Sequence, residues 1–162
     1  DDWLLIHGVH LPDDHGLRGT FVHSPRSNMN NSVGYARPAR FENPVALGTD
    51  GIGADMLEEF RLAYVAARAA DVTITPDLAW QWLSTGWDLM PAALNDQVVW
   101  AAESDDPWAL AFTTGTSPLE VSIEGETVWE DGLPTLVDGD EIRAKAAEAA
   151  KKMFAKLQEI EP

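Results

Sequence analysis

The chain has 162 residues, 45% hydrophobic and 23% charged, and its 27 acidic against 11 basic side chains give a formal net charge of −16. A surface that negative repels phosphate backbones and anionic lipid, so nucleic acid and membrane are excluded as expected partners. Cysteine is absent, which removes disulfides and thiolate metal sites, and no apolar run reaches the ~20 residues of a membrane span, so a cytoplasmic location is the expectation.

Residues 3–9, Trp-Leu-Leu-Ile-His-Gly-Val, read as a buried strand. The chain therefore looks as if it begins inside a fold. His7 and His10 have a spacing that would place them on one helical face, but on a strand the same spacing sends them to opposite faces, because side chains alternate with period two. At most one of them lines a site with its strand, and His7 is nearer the strand end. Thr20-Phe21-Val22-His23 reads as a second short strand, followed by a loop of small polar residues from Ser24 to Gly34. Composition leaves two readings of that loop, turn chemistry and a set of substrate contacts.

The stretch from Asn43 to Asp55 is the most informative. Val45-Ala46-Leu47, between a proline and glycines, predicts a strand buried on both faces that ends in the carboxylate of Asp50. A helix over 54–70 follows, with Asp55 as its cap and an apolar stripe of Met56, Phe60, Ala63, Tyr64 and Ala67. A strand that ends in an acid and runs straight into an amphipathic helix is a βα unit. In a parallel α/β barrel the chemistry sits at that carboxyl end. Gly51-Ile52-Gly53 does not make a dinucleotide loop, since Met56 stands where the third glycine belongs and Asp50 and Asp55 would repel a pyrophosphate.

Thr75-Pro76 opens another helix, expected to stop near Gly86. Beyond Pro91 come short apolar runs at 97–102 and 108–113, then Leu119-Glu120-Val121-Ser122-Ile123, which alternates and turns through Glu124-Gly125-Glu126 into Thr127-Val128-Trp129 as a hairpin. The tail from about 138 to 160 reads as a helix. Acids lie in its first turn and lysines near its end, and its buried stripe would run through Ile142, Ala146, Ala149, Met153, Leu157 and Ile160.

Three segments, in this order, resemble one family. Leu5-Ile6-His7-Gly8-Val9-His10-Leu11 is similar to the sixth barrel strand of the amidohydrolase superfamily, in its aminohydrolase and chlorohydrolase-like branch. Val22-His23-Ser24-Pro25-Arg26-Ser27-Asn28-Met29 is similar to its seventh strand, and Leu47-Gly48-Thr49-Asp50-Gly51 to its eighth. The resemblance covers roughly residues 4–70. It implies an α/β chain made of the C-terminal strands and helices of a metal-dependent (β/α)8 TIM barrel, with part of a small β-sandwich and a C-terminal helix. The expected divisions are 1–95 for the last three βα units, 96–137 for sandwich strands and 138–162 for the helix.

The resemblance further implies hydrolytic deamination (C–N) or dechlorination (C–Cl) of a small heterocycle. Asp50 would be a metal ligand that also carries a proton, and His7 would be the hydrogen-bond donor to the reacting oxygen. His23, Ser27 and Asn28 would shape the substrate site, and the cofactor would be a divalent metal, zinc in the first place and iron or manganese otherwise. The family's first-strand H-x-H pair and fifth-strand H-x-x-E have no counterpart here. The N-terminal half of the barrel is therefore expected as a partner, on another chain or segment, and assembly with further copies of the chain is compatible with the same reading. The alternative is a non-catalytic acidic interaction module derived from that fold.

Overall fold

A computed structural model describes residues 3–160. The chain divides into two compact units: the first runs to Leu94 and includes Ala102–Gly115, and the second holds Asn95–Ala101 and the residues from Thr116 onward.

In the first unit, β1 (Leu4–Ile6), β2 (Thr20–His23) and β3 (Val45–Leu47) form a parallel sheet in chain order. Leu5 pairs with Phe21, and Phe21 in turn with Val45. Parallel neighbours need a crossover between them. The β1–β2 crossover contains no helix, whereas the β2–β3 crossover holds α1 (Pro25–Asn30) and a single 3-10 turn at Pro38–Arg40. α1 occupies part of the stretch expected as loop, and Pro25 at its first position suits a helix start, where no amide hydrogen is needed. The expected first strand is shorter than predicted. It ends at Ile6 because His7 and Gly8 both turn to positive φ, +67° and +63°. At Gly8 the turn requires glycine, since a Cβ there would come within 2.3 Å of the Phe21 ring.

All three residues of β3 are buried, as the apolar run predicted. α2 (Met56–Ala70) starts where expected, and the Asp55 carboxylate caps it by accepting from the amides of Leu57 and Glu58. α3 (Pro76–Leu89) runs one turn past the stop expected at Gly86, because a single glycine weakens a helix without ending it. α3 packs on β3 and α2 packs on α3, around a core of Phe21, Ala46, Leu57, Phe60, Ala63, Ala79 and Trp82. Residues 108–113, read as an apolar run of the β-structure, instead fall largely in a helix, α4 (Pro107–Phe112). Asp106 caps it, and it groups with the first unit. The backbone carbonyl of Leu110 accepts from Arg61 Nε at 2.9 Å, so this short helix is tied to α2.

The second unit holds an antiparallel sheet, β4 (Gln97–Trp100), β5 (Pro118–Ile123), β6 (Glu126–Glu130) and β7 (Leu133–Pro134), in that order. Glu124 and Gly125 are both at positive φ, which gives the two-residue turn whose twist suits a hairpin. α5 (Gly139–Gln158) is capped by the Asp138 carboxylate. Its apolar stripe is not buried, contrary to expectation: Ile142, Met153 and Leu157 all stand more than half exposed, as does Ile160 just beyond the helix. Periodicity marks a face that suits burial, and burial also needs a partner surface, which the described residues do not supply. No helix among the described residues is long and apolar enough to cross a membrane.

The core and the cap carry different weights. Phe60→Ala, at a fully buried ring, is expected to lower unfolding free energy by about 3–5 kcal/mol. Asp55→Ala is expected to cost about 1 kcal/mol. Urea unfolding followed by circular dichroism measures both, and a reversed order would contradict this account of the core.

Candidate active site

Neighbouring parallel strands deliver their carboxyl ends to one edge, so the segments that leave β1 and β3 meet there. His7 is the first residue beyond β1, and Asp50 lies three residues past β3, at φ +53°. His7 Nε2 stands 3.6 Å from Asp50 Oδ2, and both side chains remain partly open to solvent. That separation is just beyond a direct hydrogen bond, and an oxygen atom placed about 2.8 Å from each would touch both.

The Asp50 carboxylate is held from two sides. Ser27 Oγ donates to Oδ2 at 2.6 Å, and the Gly51 amide donates to Oδ1 at 2.8 Å. The Ser27 hydrogen bond, then that of the Gly51 amide, holds the carboxyl below its usual range, with a smaller contribution from His7. Asp50 is therefore ionised at neutral pH, and Oδ2 is the oxygen that faces His7. Ser27 is itself positioned by Asn31 Nδ2, which donates to its Oγ at 3.3 Å.

α1, which carries Ser27, is anchored by a pair that the sequence did not single out. Glu59 of α2 is 1% exposed and accepts from Arg26 Nε at 2.8 Å and from the Arg26 amide at 3.3 Å. The signal was available: Glu59 lies at helical spacing from Met56 and Ala63, on the face that packs inward. An acid on a buried face demands a cation.

The structure divides the expected site residues into two groups. His7, Asp50 and Ser27 come together. His23 and Asn28 instead line a cleft with Pro25, Met29, Tyr35 and Ala66, although His23 lies near enough to His7 to feel its charge. His23 and Asn28 are almost fully buried. Both ring nitrogens of His23, both amide atoms of Asn28 and Nδ1 of His7 have no hydrogen-bond partner among the described residues. Each such atom costs about 1–3 kcal/mol if left unpaired. His10 belongs to neither group.

A catalytic zinc takes three protein ligands and leaves one position open. Among the described residues no group of three His, Asp or Glu side chains is placed to hold a metal. Asp50 fits as one donor, being ionised, half-open and fixed in orientation. The described residues by themselves do not complete a metal site.

No family model matches the chain. It is 31% identical over 90 residues to the 5-methylthioadenosine/S-adenosylhomocysteine deaminase of Shouchella clausii (strain KSM-K16), an alignment that covers 46% of this chain and 21% of the relative. Among solved structures it is similar to an adenosine deaminase from Xanthomonas campestris with bound zinc, with a TM-score of 0.65 and 17% identity over 94% of this chain and 42% of that one. It is also similar to a mutant atrazine chlorohydrolase from Arthrobacter aurescens TC1 complexed with zinc and atraton, with a TM-score of 0.64 and 20% identity over 90% of this chain and 40% of that one. The chain thus spans about a fifth of the curated relative and about two fifths of each solved neighbour.

Burial pushes the His23 pKa from 6.5 down to about 4, and His7 adds to the shift. Between those values the unfolded chain binds a proton at His23 that the folded chain does not, so stability is full above pH 6.5 and falls as pH drops toward 4. The loss is expected to reach about 3 kcal/mol. Urea midpoints from pH 7.5 to 4.5 measure it. His23→Phe should flatten the slope, and an unchanged slope in that variant would rule His23 out as its source.

Proposed function

From the likeness of its fold to that of the zinc-bound adenosine deaminase and the atrazine chlorohydrolase, we propose that this chain is the C-terminal portion of a metal-dependent hydrolase of the amidohydrolase superfamily. Its reaction is cleavage of a C–N bond, as in deamination, or of a C–Cl bond on a small heterocycle. The observation that carries the proposal is the ionised Asp50 carboxylate, held by Ser27 and facing His7 Nε2 across 3.6 Å at the carboxyl end of a parallel sheet.

Two features support a contribution from outside the chain. β1 pairs only with β2 and β3 only with β2 among the described residues, so the sheet has two open edges. Along the first of them Trp3, Leu4 and Ile6 stand more than half exposed. A closed barrel has no edges. Strands of an N-terminal half, on another chain or segment, would pair along β1 and β3 and bring the remaining metal ligands.

The divalent metal, zinc in the first place and iron or manganese otherwise, would supply Lewis-acid activation of water at neutral pH when bound through Asp50 and those ligands. The chain's own part is proton handling and charge stabilisation. Asp50 Oδ2 takes a proton from the attacking water as its oxygen bonds to the ring carbon. It then returns the proton to the leaving nitrogen as the C–N bond breaks, whereas in dechlorination chloride departs as the anion and the proton passes from Asp50 to solvent. His7 Nε2 donates to the oxygen on which negative charge develops. Ser27 keeps the carboxylate turned toward that oxygen.

The second reading, a non-catalytic acidic assembly module, is favoured by the same open edges and by the net charge of −16. Asp50→Asn separates the two. In an assembly completed by an N-terminal partner, the variant should lose at least about 100-fold in hydrolysis of an aminated or chlorinated heterocycle while still assembling. Full activity in Asp50→Asn, or no hydrolysis by the unaltered assembly, would refute the enzyme reading.

A further inference from the structure

Residues 140–160 are all exposed apart from the half-buried Ala150, so α5 stands almost free of its own chain. Ile142, Ala146, Ala149, Met153, Lys156 and Ile160 recur in steps that alternate between four and three. That is the spacing of a coiled-coil seam, with Lys156 as its one charged member. The charge of this segment also differs from that of the remaining chain. Residues 138–160 hold five acids and five bases, among them all four lysines of the chain, so the net charge of −16 lies elsewhere. Within the segment the signs are segregated. Four acids stand against two bases in 138–148, a net −2, and one acid against three bases in 149–160, a net +2. Glu141 holds Lys145 and Glu148 holds Lys152 within the helix, whereas Lys156 has no ion-pair partner among the described residues.

We propose that α5 pairs antiparallel with α5 of a second copy of this chain, seam against seam. With the two helices level at position 151, Ile142 lies opposite Ile160, Ala149 opposite Met153 and Ala146 opposite Lys156. A long side chain then faces alanine in the middle layers. The −2 half of each helix lies along the +2 half of the other, and the two helix dipoles oppose. A parallel pair would instead set Lys156 against Lys156 inside the seam, alanine against alanine, and like-charged halves side by side. A strongly charged partner would find no net charge on α5 to complement, while a second copy matches it at both ends. The cancelled charge also makes α5 the place where two chains of net charge −16 approach with least repulsion. The contact is closed, because the same face is used by both copies. It involves neither Asp50 nor the open edges of β1 and β3, so the inference goes beyond the proposed hydrolytic role and does not depend on it.

The chain lacks cysteine, so single introduced thiols report the pairing directly. Full 162-residue chains carrying Ile142→Cys and Ile160→Cys, both at exposed positions, are mixed in equal amounts and oxidised. The expected product is the mixed disulfide, at least tenfold over either self-linked dimer. In the antiparallel pair equivalent positions lie ~27 Å apart along the helix axis, and a disulfide needs Cα atoms within about 7 Å. Sedimentation equilibrium of the unaltered chain should give twice the mass of one chain. Met153→Glu, at another exposed position, should weaken that association at least tenfold. Asp50→Asn should associate as the unaltered chain does, which keeps this result separate from that of the hydrolysis experiment. Self-linked products equal to the mixed one, or an unaltered chain that stays monomeric, would overturn the proposal. So would a dimer that Met153→Glu leaves intact, which would place the association at the open sheet edges instead.

Discussion

The hydrogen bond from Ser27 Oγ to Asp50 Oδ2 is the contact on which the site depends. It joins two segments that the chain could otherwise place independently, the short helix after β2 and the turn after β3. Ser27 is buried, so its hydroxyl has few alternatives, and its position is fixed in turn by the Arg26–Glu59 pair at the start of the same helix. A carboxylate as buried as Glu59 would be strongly destabilising if unpaired, so α1 is pinned to α2 by a charge that must be satisfied. Register along β1, β2 and β3 then sets His7 and Asp50 at the same end of the sheet. The orientation of Asp50 is thus the end point of a chain of constraints that begins in the helix layer.

The electrostatics of the site derive from that arrangement. Asp50 is ionised because two donors point at it, and this holds although it stays open to solvent. His23 is neutral at pH 7 because burial disfavours its charged form and it has no hydrogen-bond partner among the described residues. Two titratable side chains on one small sheet are therefore held in opposite environments. One is a charged acceptor at the mouth. The other is a neutral donor–acceptor pair in a separate, largely apolar cleft.

Much of this was legible in the residues. Val45-Ala46-Leu47 before Asp50, Asp55 at the start of α2, and the Glu124-Gly125 turn each have a local physical cause, and each appears in the structure. The ordered resemblance of three strand ends to amidohydrolases agrees with the fold of the solved neighbours. The features that were not legible depend on partners remote in sequence. Residues 108–113 look like a strand by composition, yet Asp106 caps a helix there that Arg61 holds from α2. The stripe on α5 has helical spacing but no surface against it among the described residues. Ser27, His23 and Asn28 sit close together in sequence. Only the fold shows that Ser27 faces Asp50 while the other two line a different cleft.

The central claim is that Asp50 is one donor of a metal site whose other ligands come from outside this chain. Anomalous X-ray scattering at the zinc edge, on crystals of the assembly completed with an N-terminal partner, tests it directly. The account predicts a metal peak within bonding distance of an Asp50 carboxylate oxygen, about 2.0–2.2 Å for zinc. A fully assembled protein with no metal, or with a metal held away from Asp50, would contradict it.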